Sequence, residues 1–310
     1  MIKENEVLAN HSTFRIGGPA KYFIVVKSKE ELIEALDFAE KKNLPFFVFG
    51  GGSNILCRDQ GYGGIAIKIQ NSKISFTDAE IIRVEAGTLL SQLIRESINA
   101  NLTGLEWAMG IPGTVGGAVA GNAGAYGHSI AEFVKNVAVL SRDESGEWRI
   151  KNYLAEKCSF IYRGSRFKKS DNQEIILEVK FDFEKGDPEK SKKIIQEILE
   201  ERRKKLIPYP SAGCAFKNII IDGLKNKEEF LKLIPRDKIK GGKFPAGWLI
   251  ENCGLKGRQI GGAKIAEEHA NYIVNAGGAT AGDALKLIDL CKKKTREKFN
   301  LDLEEEIMVI

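Results

Sequence analysis

The sequence predicts an α+β protein of two or three domains, and three observations support this prediction. The chain has 310 residues, which is more than one hydrophobic core usually holds. Near its N-terminus a strand pattern, an amphipathic helix pattern and a second strand pattern follow one another. The middle of the chain shows mainly short strands, and the last third combines helices with a terminal strand.

Composition and charge exclude several classes of protein. Apolar residues make up 43% of the chain and charged residues 29%, which is ordinary for a folded protein. A net charge of +5, from 47 basic and 42 acidic residues, argues against nucleic-acid binding and fits an anionic small-molecule substrate. The N-terminus lacks a signal-peptide pattern, and no run of about 18 apolar residues occurs, so we expect a cytoplasmic protein without membrane contact.

The cysteines and histidines do not show a metal-binding pattern. The 5 cysteines are irregularly spaced, without a CxxC pair, and the 3 histidines are far apart in sequence. Reduced thiols and the lack of a metal site are therefore the expectation.

The first predicted domain, residues 1–66, contains a βαβ unit. Residues 22–27 are predicted as a strand, Ser28 and Glu31 as the capping box of a helix, and residues 46–49 as a second strand. The second strand leads directly into Gly50, Gly51, Gly52, Ser53 and Asn54. Glycines can adopt positive φ and bring backbone N–H groups close to a ligand, so this loop indicates phosphate binding.

The second predicted domain, residues 67–206, surrounds a glycine-rich segment. Short strands are predicted from about residue 64 onward, at 65–69, 81–85, 134–140 and 175–183, with a helix at 89–98. The almost uncharged segment 104–127, GLEWAMGIPGTVGGAVAGNAGAYG, is typical of neither a helix nor a strand. A polar helix at 189–206 ends before Pro208-Tyr209-Pro210, which marks the next boundary.

The third predicted domain covers residues 207–300. It contains the loop SAGCAFKN, a helix at residues 246–252 and a long helix at residues 282–299. The tail at residues 301–310 is predicted as a strand.

The two glycine segments together indicate a bound dinucleotide. GYGGIA at residues 61–66 resembles a Rossmann motif but leads into a strand, and GGGSN lacks the lysine of a P-loop. Two glycine-rich segments without Lys or Arg could contact one elongated ligand, with backbone N–H groups binding its pyrophosphate. The residues assigned to this cofactor are Gly50, Gly51, Gly52, Ser53, Asn54, Gly110, Ile111, Pro112, Gly113, Thr114, Gly116, Gly117, Ala118, Asn122, Gly124 and Ala125.

Motifs along nearly the whole chain resemble the UDP-N-acetylenolpyruvoylglucosamine reductase (MurB) family. In order, they are NHSTFRIGGPA, FGGGSNIL, GLEWAMGIPGTVGGAVAGNAGAYG, SFIYRGSRFK, YPSAGCAFKN, AGWLIENCGLKGRQIGGAKIAEEHANYIVN and LDLEEEIMVI. The resemblance implies a two-part FAD-binding region of the vanillyl-alcohol-oxidase-like (PCMH) type and a C-terminal α+β substrate-binding domain. It also implies that FAD is bound non-covalently and that the tail at 301–310 returns to the first domain.

The resemblance implies a reaction and three catalytic residues. NADPH would reduce FAD, and flavin N5 would then transfer hydride to the β-carbon of UDP-N-acetylglucosamine enolpyruvate. Arg163 and Glu306 would stabilise the resulting enolate, and Cys214 would protonate the α-carbon. The family more often has serine at the position of Cys214, and a thiol is the stronger acid.

Further residues are assigned to the substrate through the same resemblance. Lys217, Asn218 and Lys205 are candidates for the UDP end, and Tyr162 for the pocket around Arg163. The short segment at residues 162–175 favours the subtype without a tyrosine-bearing loop. Many relatives have arginine where this chain has Met308, so one substrate contact is expected to be missing. A monomer without protein partners is expected.

Other interpretations of these residues stay open at this stage. Arg163 could be a surface residue, Cys214 a packing residue and Glu306 part of an acidic edge. An oxidase of the same fold with another substrate domain, or a non-catalytic binder of FAD or a nucleotide-sugar, are the alternative functions. SAGCAFKN and the terminal glutamate favour the reductase over both.

Overall fold

The computed structural model describes residues 1–170, 172–204 and 206–310, and the chain divides into two units. The first unit comprises Met1–Glu6, Ala20–Gly51 and Gly63–Lys204, and the second comprises Val7–Pro19, Gly52–Tyr62 and Lys205–Ile310. Each unit buries its own cluster of apolar side chains. The chain is thus long enough to form two separate cores.

Most of the strands are short. In chain order they are β1 (Ile2–Val7), β2 (Pro19–Val26), β3 (Phe46–Phe49), β4 (Ile55–Leu56), β5 (Tyr62–Ile69), β6 (Ile74–Phe76), β7 (Ile81–Glu85), β8 (Leu102–Thr103), β9 (Gly124–Ala125), β10 (His128–Ser129), β11 (Val134–Arg142), β12 (Trp148–Leu154), β13 (Glu174–Asp182), β14 (Glu184–Lys185), β15 (Ser211–Cys214), β16 (Ile219–Ile220), β17 (Lys243–Phe244), β18 (Gln259–Ile260), β19 (Ala263–Ile265), β20 (Tyr272–Asn275) and β21 (Met308–Val309).

The α-helices range from one turn to five turns. They are α1 (Lys29–Lys41), α2 (Leu90–Asn99), α3 (Val115–Ala120), α4 (Arg166–Lys169), α5 (Pro188–Lys204), α6 (Lys227–Leu233), α7 (Ala246–Asn252) and α8 (Ala281–Phe299). Single 3-10 turns lie at Leu8–His11, Glu106–Ala108, Ile130–Glu132, Ala155–Lys157, Ile221–Gly223 and Arg236–Lys238.

The first sheet of the first unit has the strand order β1-β2-β5-β3. β5 lies between β2 and β3 and runs parallel to β3, with Ile65 opposite Phe46. Its central residues are buried on both faces, as expected for an internal strand. α1 connects β2 to β3, which confirms the predicted βαβ unit. The Ser28 hydroxyl accepts the backbone N–H of Glu31, which is one half of the predicted capping box, and the Glu31 carboxylate accepts the N–H of Lys27 (2.7 Å), the residue before the cap.

The second sheet of this unit is antiparallel, in the order β12-β11-β13-β7-β6. Val137 and Val139 of β11 are fully buried, whereas the residue between them is only half-buried, as alternation predicts. α2 follows β7 and buries one face, confirming the helix predicted at residues 89–98.

The glycine-rich segment departs from its prediction, because it contains a helix. α3 forms within it, and a 3-10 turn at Glu106–Ala108 precedes α3. A Cβ at Gly116 would lie 2.9 Å from the Cβ of Ala86. Glycine is therefore used inside this helix for close packing, which outweighs its low helix propensity.

Glu106 is a buried carboxylate that joins this segment to α5. It is 6% exposed and accepts hydrogen bonds from the Ser191 hydroxyl (2.5 Å), the Thr103 hydroxyl (2.6 Å) and the Gly104 N–H (2.7 Å). Burial raises the pKa of Glu106, but these hydrogen bonds outweigh burial and hold its pKa below the ordinary value. Glu106 therefore stays ionised at neutral pH.

Glu106→Gln is expected to lower the free energy of unfolding by about 1–3 kcal/mol at pH 7, because a charged acceptor is lost from buried donors. A lowered folded-state pKa stabilises the protein above the unfolded-state pKa, and this contribution disappears as pH falls through the folded-state pKa. The difference between wild type and variant in urea unfolding should thus shrink below pH 4.5. A difference that stays constant down to the lowest pH would contradict this role.

The second unit is organised around an antiparallel sheet with the order β15-β20-β19-β18. α7 and α8 pack in its core and confirm the helices predicted at residues 246–252 and 282–299. Thr280 and Asp283 form a capping box at the start of α8. The Asp59 carboxylate also accepts the N–H groups of Ala281 (2.7 Å) and Gly282 (2.8 Å).

The tail at residues 301–310 is only partly the strand that was predicted. Regular strand structure is confined to β21, which runs parallel to β4. Before it, Glu305 forms a single antiparallel bridge with Phe216. The buried side chains of Leu301, Leu303 and Ile307 alternate like those of a strand, but they pack against the core of this unit. The prediction of extended backbone was therefore correct, but only part of the tail pairs with other strands.

Within the described ranges, no helix is long and apolar enough to cross a membrane. The three-domain division predicted from the sequence stays a prediction.

Candidate active site

The two predicted cofactor loops meet inside the first unit. A Cβ at Gly50 would lie 2.2 Å from Thr114 Oγ1, and one at Gly51 would lie 3.1 Å from Gly113 Cα. Gly113 itself has a φ of 124°. Glycine is thus required on both sides of this contact, which brings the two segments close enough to share one ligand.

A cavity of about 130 Å³ lies beside this contact. Four predicted cofactor residues, Gly50, Thr114, Gly116 and Gly117, are among the residues that line it. Apolar side chains from β3, β5 and β13 form much of the rest. A largely apolar cavity bordered by glycine backbone fits part of a dinucleotide such as FAD.

Several residues at this cavity were missed by the sequence prediction, among them one aromatic and two polar residues. Phe167, Asn172 and Glu174 also line it. Asn172 accepts the backbone N–H of Val48 at 3.2 Å, and Glu174 forms a two-point ion pair with Arg166, at 2.8 and 2.9 Å. Because Asn172 and Glu174 are polar and lie outside any glycine motif, a single sequence does not distinguish them from surface residues.

Other predicted cofactor residues have roles inside the protein. A Cβ at Gly124 would lie 2.6 Å from the carbonyl oxygen of His128, so glycine permits the close pairing of β9 and β10. The Asn122 amide nitrogen donates to the carbonyl of Ile161 (2.9 Å). Gly110 has a φ of 84°, which favours glycine. Ala118 lies in α3. Ile111 and Pro112 lie in the loop between the 3-10 turn at Glu106–Ala108 and α3.

The remaining residues of the first loop, Gly52, Ser53 and Asn54, belong to the second unit. A Cβ at Gly52 would lie 2.1 Å from the carbonyl oxygen of His11. The Asn54 amide donates to the carbonyl of Glu306 at 3.1 Å, and its backbone carbonyl accepts the N–H of Met308 at 2.9 Å. Asn54 thus holds the tail that carries a predicted catalytic residue.

Gly50→Ala is expected to remove bound FAD and to lower the free energy of unfolding by about 1–3 kcal/mol, because the new methyl group overlaps Thr114. The ratio of flavin to protein absorbance after gel filtration measures the first effect. Gly63→Ala is the matched control, since a Cβ at Gly63 meets no atom within 4 Å. Full FAD content in the Gly50 variant would contradict the assignment.

Arg163 lies in a strained turn of the first unit. Ile161 and Gly164 exchange two backbone hydrogen bonds, 3.0 and 3.2 Å long, so Tyr162 and Arg163 occupy the centre of the turn. Arg163 has a φ of 57°, in a region that costs a non-glycine residue about 1–2 kcal/mol. Its guanidinium carbon lies 5.6 Å from the centre of the Tyr162 ring. Strain of this kind concentrates at functional positions.

Cys214 ends β15 in the second unit and is half-buried. It lies opposite Tyr272 of β20, after Gly213, which has a φ of 81°. Three other cysteines are buried in the cores, and this burial raises the pKa of Cys57 and Cys158 to about 11 and that of Cys291 to about 12. Cys214 is therefore in a more accessible environment than these three.

The backbone of Glu306 pairs with the segment that follows Cys214. The Glu306 N–H donates to the carbonyl of Ala215 at 2.8 Å, and the Lys217 N–H donates to the carbonyl of Glu304, also at 2.8 Å. Two residues that are 92 positions apart, Cys214 and Glu306, are thus carried by adjacent, hydrogen-bonded segments of one unit.

Asn271 fixes this arrangement and was also missed. It is 2% exposed; its side chain accepts the N–H of Phe216 at 3.0 Å and donates to the Phe216 carbonyl at 2.8 Å. Its backbone carbonyl accepts the N–H of Ala215 at 2.7 Å. A buried amide that bonds both the N–H and the carbonyl of one residue takes the place of a neighbouring strand.

The predicted substrate-binding residues differ in the contacts that their side chains make. Lys217 pairs with the exposed carboxylate of Glu304 at 2.5 Å. The Asn218 side chain accepts the N–H of Ala246 at 3.2 Å and so caps α7. Tyr162 lies beside Arg163. Lys205 lies outside the described residues.

Among the described residues, no group of three or more His, Cys, Asp or Glu side chains is arranged to hold a metal ion. His128 instead pairs with Glu132 at 2.9 Å, and the His269 ring accepts the N–H of Asn271 at 3.2 Å.

Matches to known proteins extend over the whole chain and name one family of reductases. A family model described as "FAD binding domain" matches residues 20–148, and one described as "UDP-N-acetylenolpyruvoylglucosamine reductase, C-terminal domain" matches residues 204–310. The chain is 36% identical to the UDP-N-acetylenolpyruvoylglucosamine reductase of Syntrophomonas wolfei, over 100% of this chain and 95% of that protein. It is 37% identical to the same reductase of Alkaliphilus oremlandii, over 99% and 92%.

A solved structure agrees with these relatives. The UDP-N-acetylenolpyruvylglucosamine reductase (MurB) from Thermus caldophilus matches with a TM-score of 0.76 and 32% identity, covering 100% of this chain and 99% of that one. These matches confirm the predicted α+β fold with an FAD-binding region, and FAD as the cofactor. The chain therefore belongs to the MurB family of UDP-N-acetylenolpyruvoylglucosamine reductases.

Proposed function

We propose that this oxidoreductase reduces the enolpyruvyl group of UDP-N-acetylglucosamine enolpyruvate to give UDP-N-acetylmuramate, a step in peptidoglycan precursor synthesis, with NADPH as electron donor. Family membership and the names of the relatives support the reaction. FAD, bound non-covalently, would accept hydride from NADPH and supply it from N5 to the β-carbon of the substrate.

Arg163 and Glu306 are proposed to stabilise the charge that develops when hydride reaches the β-carbon. Negative charge then spreads over the α-carbon and the carboxylate of the substrate. A guanidinium forms strong, charge-assisted hydrogen bonds to such oxygens, and a protonated Glu306 would donate a second one. The strained turn at Arg163 supports this role, because it fixes the start of a long, flexible side chain.

Cys214 is proposed to deliver the proton to the α-carbon. The observation that carries the proposal is the 2.8 Å hydrogen bond from the Glu306 N–H to the Ala215 carbonyl, next to Cys214. It joins the segments that carry the proposed proton donor and the proposed enolate-stabilising group within one unit. A packing cysteine would not require this neighbour.

The UDP end of the substrate is proposed to contact Lys217, with Lys205, Asn218 and Tyr162 as further candidates. The Lys217 ammonium is only partly exposed and is paired with the largely exposed Glu304, so a diphosphate can replace that carboxylate at little cost. Asn218 is the weaker candidate, because its side-chain oxygen already caps α7.

The domain division is also proposed. Residues 1–66 with the returning tail 301–310, and residues 67–206, would hold FAD, and residues 207–300 the substrate. The pairing of β21 with β4 supports the return of the tail. We expect a cytoplasmic monomer of the subtype without a tyrosine-bearing loop.

The decisive experiment measures NADPH oxidation by the purified, FAD-loaded protein with and without UDP-N-acetylglucosamine enolpyruvate, together with oxygen consumption. We expect oxidation that depends on the substrate. Oxygen consumption without substrate would favour an oxidase, and colourless protein that does not take up FAD would contradict the proposal.

A further inference from the structure

Asn122 is one of the predicted cofactor residues, but its side chain forms hydrogen bonds within the protein. It is 8% exposed. Its amide nitrogen donates to the carbonyl of Ile161 at 2.9 Å, and its amide oxygen accepts the N–H of Ala131 at 3.3 Å. Both ends of the amide are therefore engaged by backbone groups of the first unit, which is not the arrangement of a side chain that reads a cofactor.

Ile161 opens the turn that carries Arg163. Because Ile161 and Gly164 exchange two hydrogen bonds across this turn, a bond to the Ile161 carbonyl fixes the turn as a whole. The left-handed backbone of Arg163 is unfavourable for a non-glycine residue. Such a conformation persists only where the surrounding structure holds it.

A second bond holds the other side of the turn to the same segment. Ser165 is fully buried, and its hydroxyl donates to the carbonyl of Ala120, the last residue of α3, at 2.8 Å. The turn is thus attached before Arg163 by Asn122 and after it by Ser165. α3 contains Gly116 and Gly117, which line the cavity assigned to FAD.

Beyond the turn, the chain is fixed independently. The Arg166 N–H donates to the Cys158 carbonyl at 3.0 Å, and the Arg166 guanidinium binds Glu174 through two hydrogen bonds. Loss of the Asn122 amide would therefore loosen the turn locally, while the strands on either side keep their positions.

We propose that Asn122 is a positioning residue for Arg163: it transmits the fixed position of the flavin-binding segment to the turn that carries the enolate-stabilising arginine. This rests on the proposed role of Arg163. It reassigns Asn122 from cofactor contact to control of a catalytic side chain, so removing its amide should impair chemistry on the substrate and leave FAD in place.

Asn122→Gly tests this, because glycine removes the amide and tolerates the φ of 43° found at Asn122. We expect kcat with UDP-N-acetylglucosamine enolpyruvate to fall by about 10- to 100-fold, the size of effect that a misplaced catalytic group produces. FAD content and the rate of flavin reduction by NADPH, measured by stopped flow, should stay at wild-type values. Asn43→Gly is the matched control, since Asn43 also has a left-handed backbone, with φ 49°, and is exposed.

Two further variants separate the possible causes. Asn122→Asp keeps an acceptor for the Ala131 N–H but loses the donor to Ile161, so its kcat should fall like that of the glycine variant. In an Arg163→Ala background, Asn122→Gly should have no additional effect on kcat, because a residue that acts through Arg163 has nothing left to position.

Three results would overturn the proposal: loss of FAD from folded Asn122→Gly, unchanged kcat in both Asn122 variants, or a full additional loss in the Arg163→Ala background. Failure of the proposed function looks different. In that case the wild-type protein does not reduce the substrate, or Arg163→Ala retains wild-type kcat.

Discussion

Cys214→Ala is expected to lower the turnover of UDP-N-acetylglucosamine enolpyruvate by about 10²- to 10⁴-fold, the usual contribution of a positioned general acid. The alanine side chain has no proton to donate. The substitution leaves β15 and its pairing with β20 intact, since that pairing uses backbone groups. Stopped-flow measurements should locate the defect in flavin reoxidation by the substrate, while flavin reduction by NADPH proceeds at the wild-type rate.

Cys214→Ser is expected to keep appreciable turnover, because a hydroxyl also carries a proton and fits the same space. The thiol, with an ordinary pKa of about 8.5, is much easier to deprotonate than an alcohol, so the two enzymes should differ in the pH dependence of kcat. Cys253→Ala is the matched control, because Cys253 is also half-buried in the second unit. Near-native turnover of Cys214→Ala would show that another group delivers the proton.

The helices and longer strands followed from local patterns, because periodicity and caps are encoded in adjacent residues. α7 has the predicted bounds, and α2 and α8 begin within one residue of theirs. Pairings between distant segments are not encoded in this way. The bridge between Glu305 and Phe216 joins segments that no local pattern connects, and α3 forms where glycine propensity argues against a helix.

For the site, the sequence predicted the positions of several residues correctly, but it did not predict the contacts that their side chains make. Gly50 and Thr114 were predicted from glycine patterns and do meet. Asn54 and Asn122 lie in the predicted loops, but their amides bond backbone carbonyls of Glu306 and Ile161. Asn271 was missed because an asparagine near a strand is ordinary, and its partner Phe216 is 55 residues away.

Substitution of Arg163 is expected to give the second large effect, because two variants should lose the same activity but differ in stability. Arg163→Gly and Arg163→Ala both remove the guanidinium and are expected to lower kcat by about 10²- to 10³-fold, the usual cost of losing one donor to a developing oxyanion. Both also lose the contact with the Tyr162 ring. The two variants differ only in backbone, since Arg163 has a φ of 57°.

Glycine tolerates this conformation, whereas alanine keeps its cost, so Arg163→Gly should be more stable than Arg163→Ala by about 1 kcal/mol in urea unfolding. Equal activity loss with unequal stability would separate the chemistry of the side chain from the strain of the turn. Arg149→Ala controls for loss of positive charge in the same unit, because Arg149 is largely exposed and pairs with Asp143. If Arg163→Gly kept native turnover, another group would have to stabilise the enolate, and Glu306 would be the first to test.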